Sequence, residues 1–394
     1  MFILEPNPQI FERLLRDYRK TSHVFNLLDQ TYFRPMIEQD VKQMITMYSG
    51  HMKPWNFYGY SDVDWKKHYD PVSFYKWRRL NIDMKHALNP TEGSTWKNAK
   101  RQQNVCDAFL EATFSNSNSF PIQDQFSVLI STYNPERIEH LSLLIQHLLK
   151  SSKIHTVFIT WHNPALKVPS SLFNHISEQD RVVILSQTFD SLNNRFNPIP
   201  ELQTEAAYIM DDDIFIDLED LEFTFHAWQS RKDSIVGHFP RRHDYHPDTL
   251  QASYEINRDP PYSIILTKSM FIRSDYLFAY TCLLEPKLHQ VIDDQLNCED
   301  LGFAMMASGI TSVAPTYVKT KNPIHDFGLS KGISTNSAHM PARRKCISDF
   351  ITQFWHKRDP LVYAYGAVAP FARPQTTKGN WKVVEKVVKS EKST

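Results

Sequence analysis

Three consecutive carboxylates, Asp211-Asp212-Asp213, follow the apolar run at residues 206–210 and precede Ile214 and Phe215. Adjacent aspartates repel one another, and a divalent cation bridging them to diphosphate oxygens removes that cost. Where the chain is extended, residues i and i+2 point the same way, so Asp211 and Asp213 would face one ligand together. The same triplet also reads as a solvated acidic turn, with Asp217 capping a helix that begins at Leu218. A second acidic pair, Asp293-Asp294, offers similar chemistry or a plain cap for a following helix with Leu301, Phe303, Ala304 and Met305 mostly buried. An arginine near such carboxylates, Arg195, can pair bidentately with phosphate oxygens. Thr132-Tyr133-Asn134, Asn163 and Asn194 are polar residues of the kind that surface loops or ligand sites both use.

Something has to hold these groups at one place. From Gln125 onward, apolar runs of strand length alternate with amphipathic helical stretches, the α/β pattern. Residues 126–133 form a near-continuous apolar run suited to a strand buried on both faces. Pro135-Glu136 then opens a helix with Ile138, Leu141, Leu144, Ile145 and Leu148 along one side. Further strands are predicted at 156–161, 181–185 and 206–210. The expected fold is a mostly parallel, Rossmann-like sheet flanked by helices, whose carboxyl-end loops carry the polar residues, because open parallel sheets bind ligands there.

A chain of 394 residues with 41% hydrophobic content can bury one large core plus an appended element, since single cores stop growing at roughly 250 to 300 residues. The 44 basic and 44 acidic residues cancel, which removes the basic excess that nucleic-acid or anionic-membrane binding favours. No stretch approaches the roughly 18 consecutive apolar residues of a membrane span, and the first five residues turn polar too soon for a signal peptide. Residues 1–121 read as an aromatic-rich, helical extension and linker, 122–373 as the main domain and 374–394 as a polar tail. Within the extension a helix is expected over residues 8–20, and the cluster Trp55, Phe57, Tyr58, Tyr60, Trp65 is either packing surface or a sugar-stacking platform. Cys106, Cys282, Cys298 and Cys346 lack zinc spacing and are left as thiols or as one or two disulfides.

Several short motifs recur together in one known family. The run from Asp190 through Asn194-Arg195-Phe196, then Tyr208 through Asp213, resembles the donor-binding region of the exostosin-like transferases, glycosyltransferase family 64. Val236-Gly237, Pro240-Arg241-Arg242-His243, Asp293-Asp294, Asn297-Cys298-Glu299-Asp300, His339, Arg343 and Cys346-Ile347 are similar to the same family in the same order. The resemblance spans about residues 122–373 and implies a nucleotide-diphospho-sugar transferase fold of the GT-A type. It implies a manganese-dependent, retaining transfer of an N-acetylhexosamine, GlcNAc first among them, from a UDP donor to a glycan or glycolipid. By the same resemblance Thr132, Tyr133 and Asn134 contact uracil and ribose. Asp190, Asn163, Asn194 and Arg195 hold the nucleotide, and Asp211 and Asp212 contact ribose and sugar. Asp213 binds manganese, Asp293 and Asp294 reach the sugar with Asp294 the candidate catalytic carboxylate, and Cys298 pairs with Cys346. A disulfide and the family's habits imply a Golgi or endoplasmic reticulum lumen.

Asn336 departs from the pattern, standing where some members carry a diphosphate-contacting arginine. Retention by double displacement would need a carboxylate beneath the anomeric carbon, and Asp294 is the candidate. Front-face departure, with the leaving phosphate taking the acceptor proton, is the alternative. A carbohydrate-binding pseudoenzyme and a metal-dependent phosphohydrolase are the rivals from other classes. The second leaves Tyr133, Asn163 and Arg195 without a role.

Overall fold

The computed structural model describes residues 2–4, 45–47, 71–88, 93–115, 121–256, 260–330 and 337–370. The expected helix over 8–20, the aromatic cluster at 55–65, the heart of the linker, Asn336 and the polar tail lie outside these residues.

The four expected strands form: β1 (Ile122–Thr132), β2 (Ile154–Trp161), β3 (Val182–Ser186) and β4 (Thr204–Asp211). They run parallel, with β1 between β4 and β2 and with β3 beyond β2. Downstream come β5 (Ile214–Phe215), β6 (Val236–Gly237), β7 (Pro240–His246), β8 (Gln251–Glu255), β9 (Ile264–Ile265) and β10 (Ser269–Arg273). The last three are β11 (Thr316–Val318), β12 (His325–Asp326) and β13 (Ala367–Val368). The main sheet has eight strands in the order β13-β11-β6-β10-β4-β1-β2-β3. Only β10 opposes its neighbours, pairing antiparallel with both β4 and β6. The chain is thus a mixed α/β protein with a mostly parallel central sheet. Gly237 lets β6 close on β10, because a Cβ there would meet the Ser269 carbonyl at 2.3 Å.

The apolar runs are explained by burial on both faces. Phe126, Val128 and Ile130 point into one core and Leu129 into the other. The first core is covered by α3 (Ile138–Leu148) and α4 (Leu218–Gln229). All five apolar residues expected on α3 are buried, and Asp217 caps α4 by accepting from the Glu219 amide at 3.0 Å. The second core packs under α5 (Pro286–Gln295), α6 (Glu299–Thr311) and α7 (His339–Gln353). In α6 Leu301, Phe303, Ala304 and Met305 are buried as expected. Asp293 and Asp294 cap nothing there: they occupy the last turn of α5, and Cys298 is the residue that precedes α6.

Two helices precede the sheet, α1 (Pro71–Leu88) and α2 (Ser94–Ser115). Phe74, Tyr75 and Cys106 join the second core. A disulfide links Cys106 in α2 to Cys282, in the π-helical turn Ala279–Leu283. The pairing Cys298–Cys346 is present and joins the start of α6 to α7.

Candidate active site

The parallel strands deliver their carboxyl ends to one edge, and there a cavity of about 1180 Å³ opens. β1 contributes Thr132 followed by Tyr133 and Asn134, the turn after β3 contributes Asp190 and Arg195, and β4 ends in Asp211-Asp212-Asp213. Because β10 runs the other way, its amino-terminal approach, Thr267-Lys268, reaches the same edge. The far wall is built by Arg241 and Tyr254 with Asn297, Glu299, Asp300, His339 and Arg343.

The three aspartates do not share one extended face. The strand ends at Asp211 and the chain turns, so Arg195 donates to Asp211 Oδ1 at 2.6 Å while Arg137 donates to Asp212 at 2.6 Å and Asp213 at 3.1 Å. Thr132 Oγ1 also donates to Asp212, at 2.7 Å. The turn is fixed from outside by the Phe327 amide, which donates to the Asp213 carbonyl at 2.9 Å. Burial raises the Asp212 and Asp213 carboxyls above their usual range, and at Asp213 the two neighbouring aspartates add to the effect. Among the described residues Asp213 Oδ1 is buried with no hydrogen-bond partner. A buried carboxylate oxygen without a donor is costly, and a bound cation is one kind of partner that would remove the cost.

Other expected residues play supporting parts. Asn134 caps the 3₁₀ turn Pro135–Arg137, accepting from the Glu136 amide at 2.9 Å, and Tyr133 is half exposed at the rim. Asn163 and Asn194 are buried but do not line the cavity: Asn163 accepts from the Ala165 amide, and Asn194 donates to the Phe189 carbonyl at 2.8 Å. Each engages one end of its amide on its own loop, where the expected nucleotide contact had placed it at the ligand. Asp293 faces away too, accepting from Asn193 at 2.8 Å and from Ser191. Asp294 is exposed on α5 and outside the cavity, so the catalytic part expected of it finds no geometry.

The carboxylates that do face the cavity from this region are Glu299 and Asp300. Arg343 donates to Asp300 at 2.6 Å and to Asn297 at 3.2 Å, and Arg195 lies 3.5 Å from Glu299. Burial, then the charge of Asp300, pushes the Glu299 carboxyl well above the carboxylate range. The cavity's cations are therefore matched to acids: Arg137, Arg195 and Arg343 as above, and Lys268 to Asp326 at 2.8 Å. Arg241 forms no ion pair within 4 Å among the described residues; it donates to the Pro240 carbonyl at 2.8 Å and lies beside Tyr254 and Arg343, with Asp300 near enough to attract it. Arg137, Lys268, Arg241, Glu299, Asp300 and Arg343 were not singled out as site residues from sequence. Glu299, Asp300, Arg241 and Arg343 stood inside the motifs, whereas Arg137 and Lys268 carried no signal beyond lying near a strand end.

Two histidines are held neutral at this edge. Burial lowers His162 and His238 to about 4, and His238 sits between Thr224 Oγ1 and Ser269 Oγ at 2.9 and 2.5 Å. A folded value below the ordinary 6.5 means that the stability is complete above pH 6.5 and is lost as pH falls towards 4. The loss is roughly 1.4 kcal/mol per pH unit for each ring. The raised Glu299 carboxyl acts in the opposite sense, so the ring's share is read by difference: Tm should fall less between pH 6.5 and 4 in His162→Gln than in the wild type, and equal slopes would contradict the burial of His162.

A cavity at the carboxyl edge of a mostly parallel sheet, carrying an acidic triplet held by arginines, stands where open α/β sheets bind their ligands. Comparison with known proteins makes it specific. The model of the Glycosyl transferase family 64 domain matches residues 126–372, and the chain belongs to that family. It is 30% identical over 289 residues to glycosyltransferase family protein 64 C3 of Arabidopsis thaliana, covering 67% of this chain and 84% of that one. Over 269 residues it is 30% identical to exostosin-like 2 of Homo sapiens, covering 64% and 78%. It is also 28% identical over 254 residues to glycosylinositol phosphorylceramide mannosyl transferase 1 of Arabidopsis thaliana, covering 60% and 74%. The protein is a glycosyltransferase of the exostosin-like kind, acting between a sugar donor and a glycan acceptor.

Proposed function

We propose that this protein has the GT-A type of fold and transfers an N-acetylhexosamine, GlcNAc in the first instance, from a UDP donor with retention of configuration. The acceptor is a hydroxyl of a glycan or glycolipid. The observation that carries the reading is Asp213: a buried carboxylate oxygen without a donor, at the end of a strand, in the cavity's wall. Manganese fits this position as a hard cation with oxygen ligands. Among the described residues no group of three or more His, Cys, Asp or Glu side chains could hold a metal. Asp213 would therefore hold the ion together with donor oxygens. Bound there, the ion would neutralise charge on the departing diphosphate.

The chain's own residues do the rest. Arg195 and Asp211 form one fixed pair and Arg137, Asp212 and Asp213 another, which orients the acidic turn towards the ligand. On the far wall Asp300 is engaged at both oxygens, by Arg343 and by the Leu301 amide at 2.8 Å. Such a carboxylate suits a fixed acceptor for a sugar hydroxyl better than a free nucleophile. Burial, with Asp300 beside it, raises the Glu299 carboxyl. A carboxylate already engaged at both oxygens favours front-face departure over double displacement. Arg241, which shares Asp300 with Arg343 and has no close carboxylate of its own, is placed to attract a negative group on the acceptor side. Two disulfides favour an oxidising compartment, in keeping with a Golgi or endoplasmic reticulum lumen.

One relative is named a mannosyl transferase, so the donor test must include a mannosyl nucleotide. Nucleotide release from UDP-GlcNAc, UDP-GalNAc and GDP-mannose, each with and without manganese, should be fastest for UDP-GlcNAc and should need the metal. Faster release from GDP-mannose would overturn the donor assignment, and release from none would favour the pseudoenzyme.

A further inference from the structure

We propose that Arg101 and Gln102 of α2, outside the matched family domain, are positioning residues for the turn that carries Asp190 and Arg195; this rests on the nucleotide-binding reading above. The turn 189–196 has a front and a back. Its front supplies Asp190 and Arg195 to the cavity. Its back is the buried Asn193, which donates to the His289 carbonyl at 3.1 Å and to Asp293 at 2.8 Å, and accepts from Tyr280 Oη at 2.6 Å.

Helix α2 closes that back face. Gln102 Nε2 donates to the Thr281 carbonyl at 3.2 Å and also meets His289 Nδ1. His289 Nε2 lies 3.2 Å from the Tyr280 carbonyl, which only a protonated Nε2 can satisfy. Nδ1 is then the acceptor, and Gln102 must be its donor. One residue away, the Arg101 guanidinium stacks over Phe189 at 4.4 Å, and the Phe189 carbonyl in turn accepts from Asn194. The Cys106–Cys282 disulfide pins α2 one turn further along, next to Thr281, whose hydroxyl donates to the Phe196 carbonyl at 2.9 Å. The helix therefore grips the turn at both ends, at Phe189 and at Phe196, without touching the cavity. Groups that orient ligand-binding residues from behind change affinity by roughly 10- to 100-fold when removed.

The test uses the full chain with manganese and UDP or GDP, whichever the wild type binds more tightly. Arg101→Ala, Gln102→Leu and Gln102→Glu should each weaken nucleotide binding about tenfold by calorimetry. The acceptor KM should stay within twofold. Gln102→Glu should be as damaging as Gln102→Leu, because a carboxylate has no proton for His289. Arg101→Lys should restore most of the affinity, since it keeps a cation over Phe189. Arg101 is exposed, so its variants report even if substitution at Gln102 prevents folding. Wild-type nucleotide affinity in Arg101→Ala, or an equal rise in nucleotide and acceptor constants, would overturn the positioning role. No nucleotide binding by the wild type would instead sink the functional reading beneath it.

Discussion

Asp213→Asn is expected to lower kcat/KM about a thousandfold, equivalent to about 4 kcal/mol of lost transition-state stabilisation. The amide keeps the size of the side chain and removes its charge. In the free protein that change relieves repulsion from Asp211 and Asp212, and Arg137 retains Asp212 at 2.6 Å. The Tm of the ligand-free variant should therefore equal or exceed that of the wild type. The rise in Tm that manganese and UDP together produce in the wild type should disappear. A variant that keeps this rise would place the metal elsewhere. One that simply melts early would show Asp213 to be a structural residue.

The second large effect separates two carboxylates six positions apart. Asp300→Asn should reduce kcat/KM at least about a hundredfold, whereas Asp294→Asn should change it less than threefold. Asp300 lies in a buried pair with Arg343 at 2.6 Å, and removing one partner of such a pair costs about 3–5 kcal/mol. A lower Tm is thus expected for Asp300→Asn, and rates should be measured well below it. Asp294 is exposed and outside the cavity. If Asp294→Asn proved the more damaging, the far wall would have to be reassigned and the double-displacement nucleophile restored.

What could be read from the sequence follows from how local each signal was. Strands β1, β2 and β4 announced themselves because a strand buried on both faces must be apolar along that stretch, and the edge strand β3 by its short apolar run; each lay within two residues at its amino end except β1, which starts four residues earlier. The acidic triplet was legible as a site because it ends such a strand, but its internal geometry was not. An extended continuation would have aligned Asp211 with Asp213, and the arginines that bend it apart come from residues 137 and 195. The pair Asp293-Asp294 drew attention by composition and by its place among the family motifs. Whether a carboxylate faces a cavity depends on helix phase, and the break between α5 and α6 at Leu296 to Cys298 turns Glu299 and Asp300 inward instead. Residues 296 and 298 both have positive φ, a backbone choice that leucine and cysteine do not advertise. The disulfide between Cys106 and Cys282 spans 176 residues, and no pattern of spacing could single it out.

The joining of α6 to α7 by Cys298 and Cys346 also sets an order of assembly. The acidic turn is in the chain by residue 213, but the groups that hold it and its neighbouring turn, the Phe327 amide, Tyr280 and His289, follow later. Arg343 and Cys346 emerge during synthesis more than a hundred residues after the acidic turn, so the far wall is the last to be closed. Until then Asp300 lacks its guanidinium, so the cavity is finished only when the last helix has joined the rest of the chain.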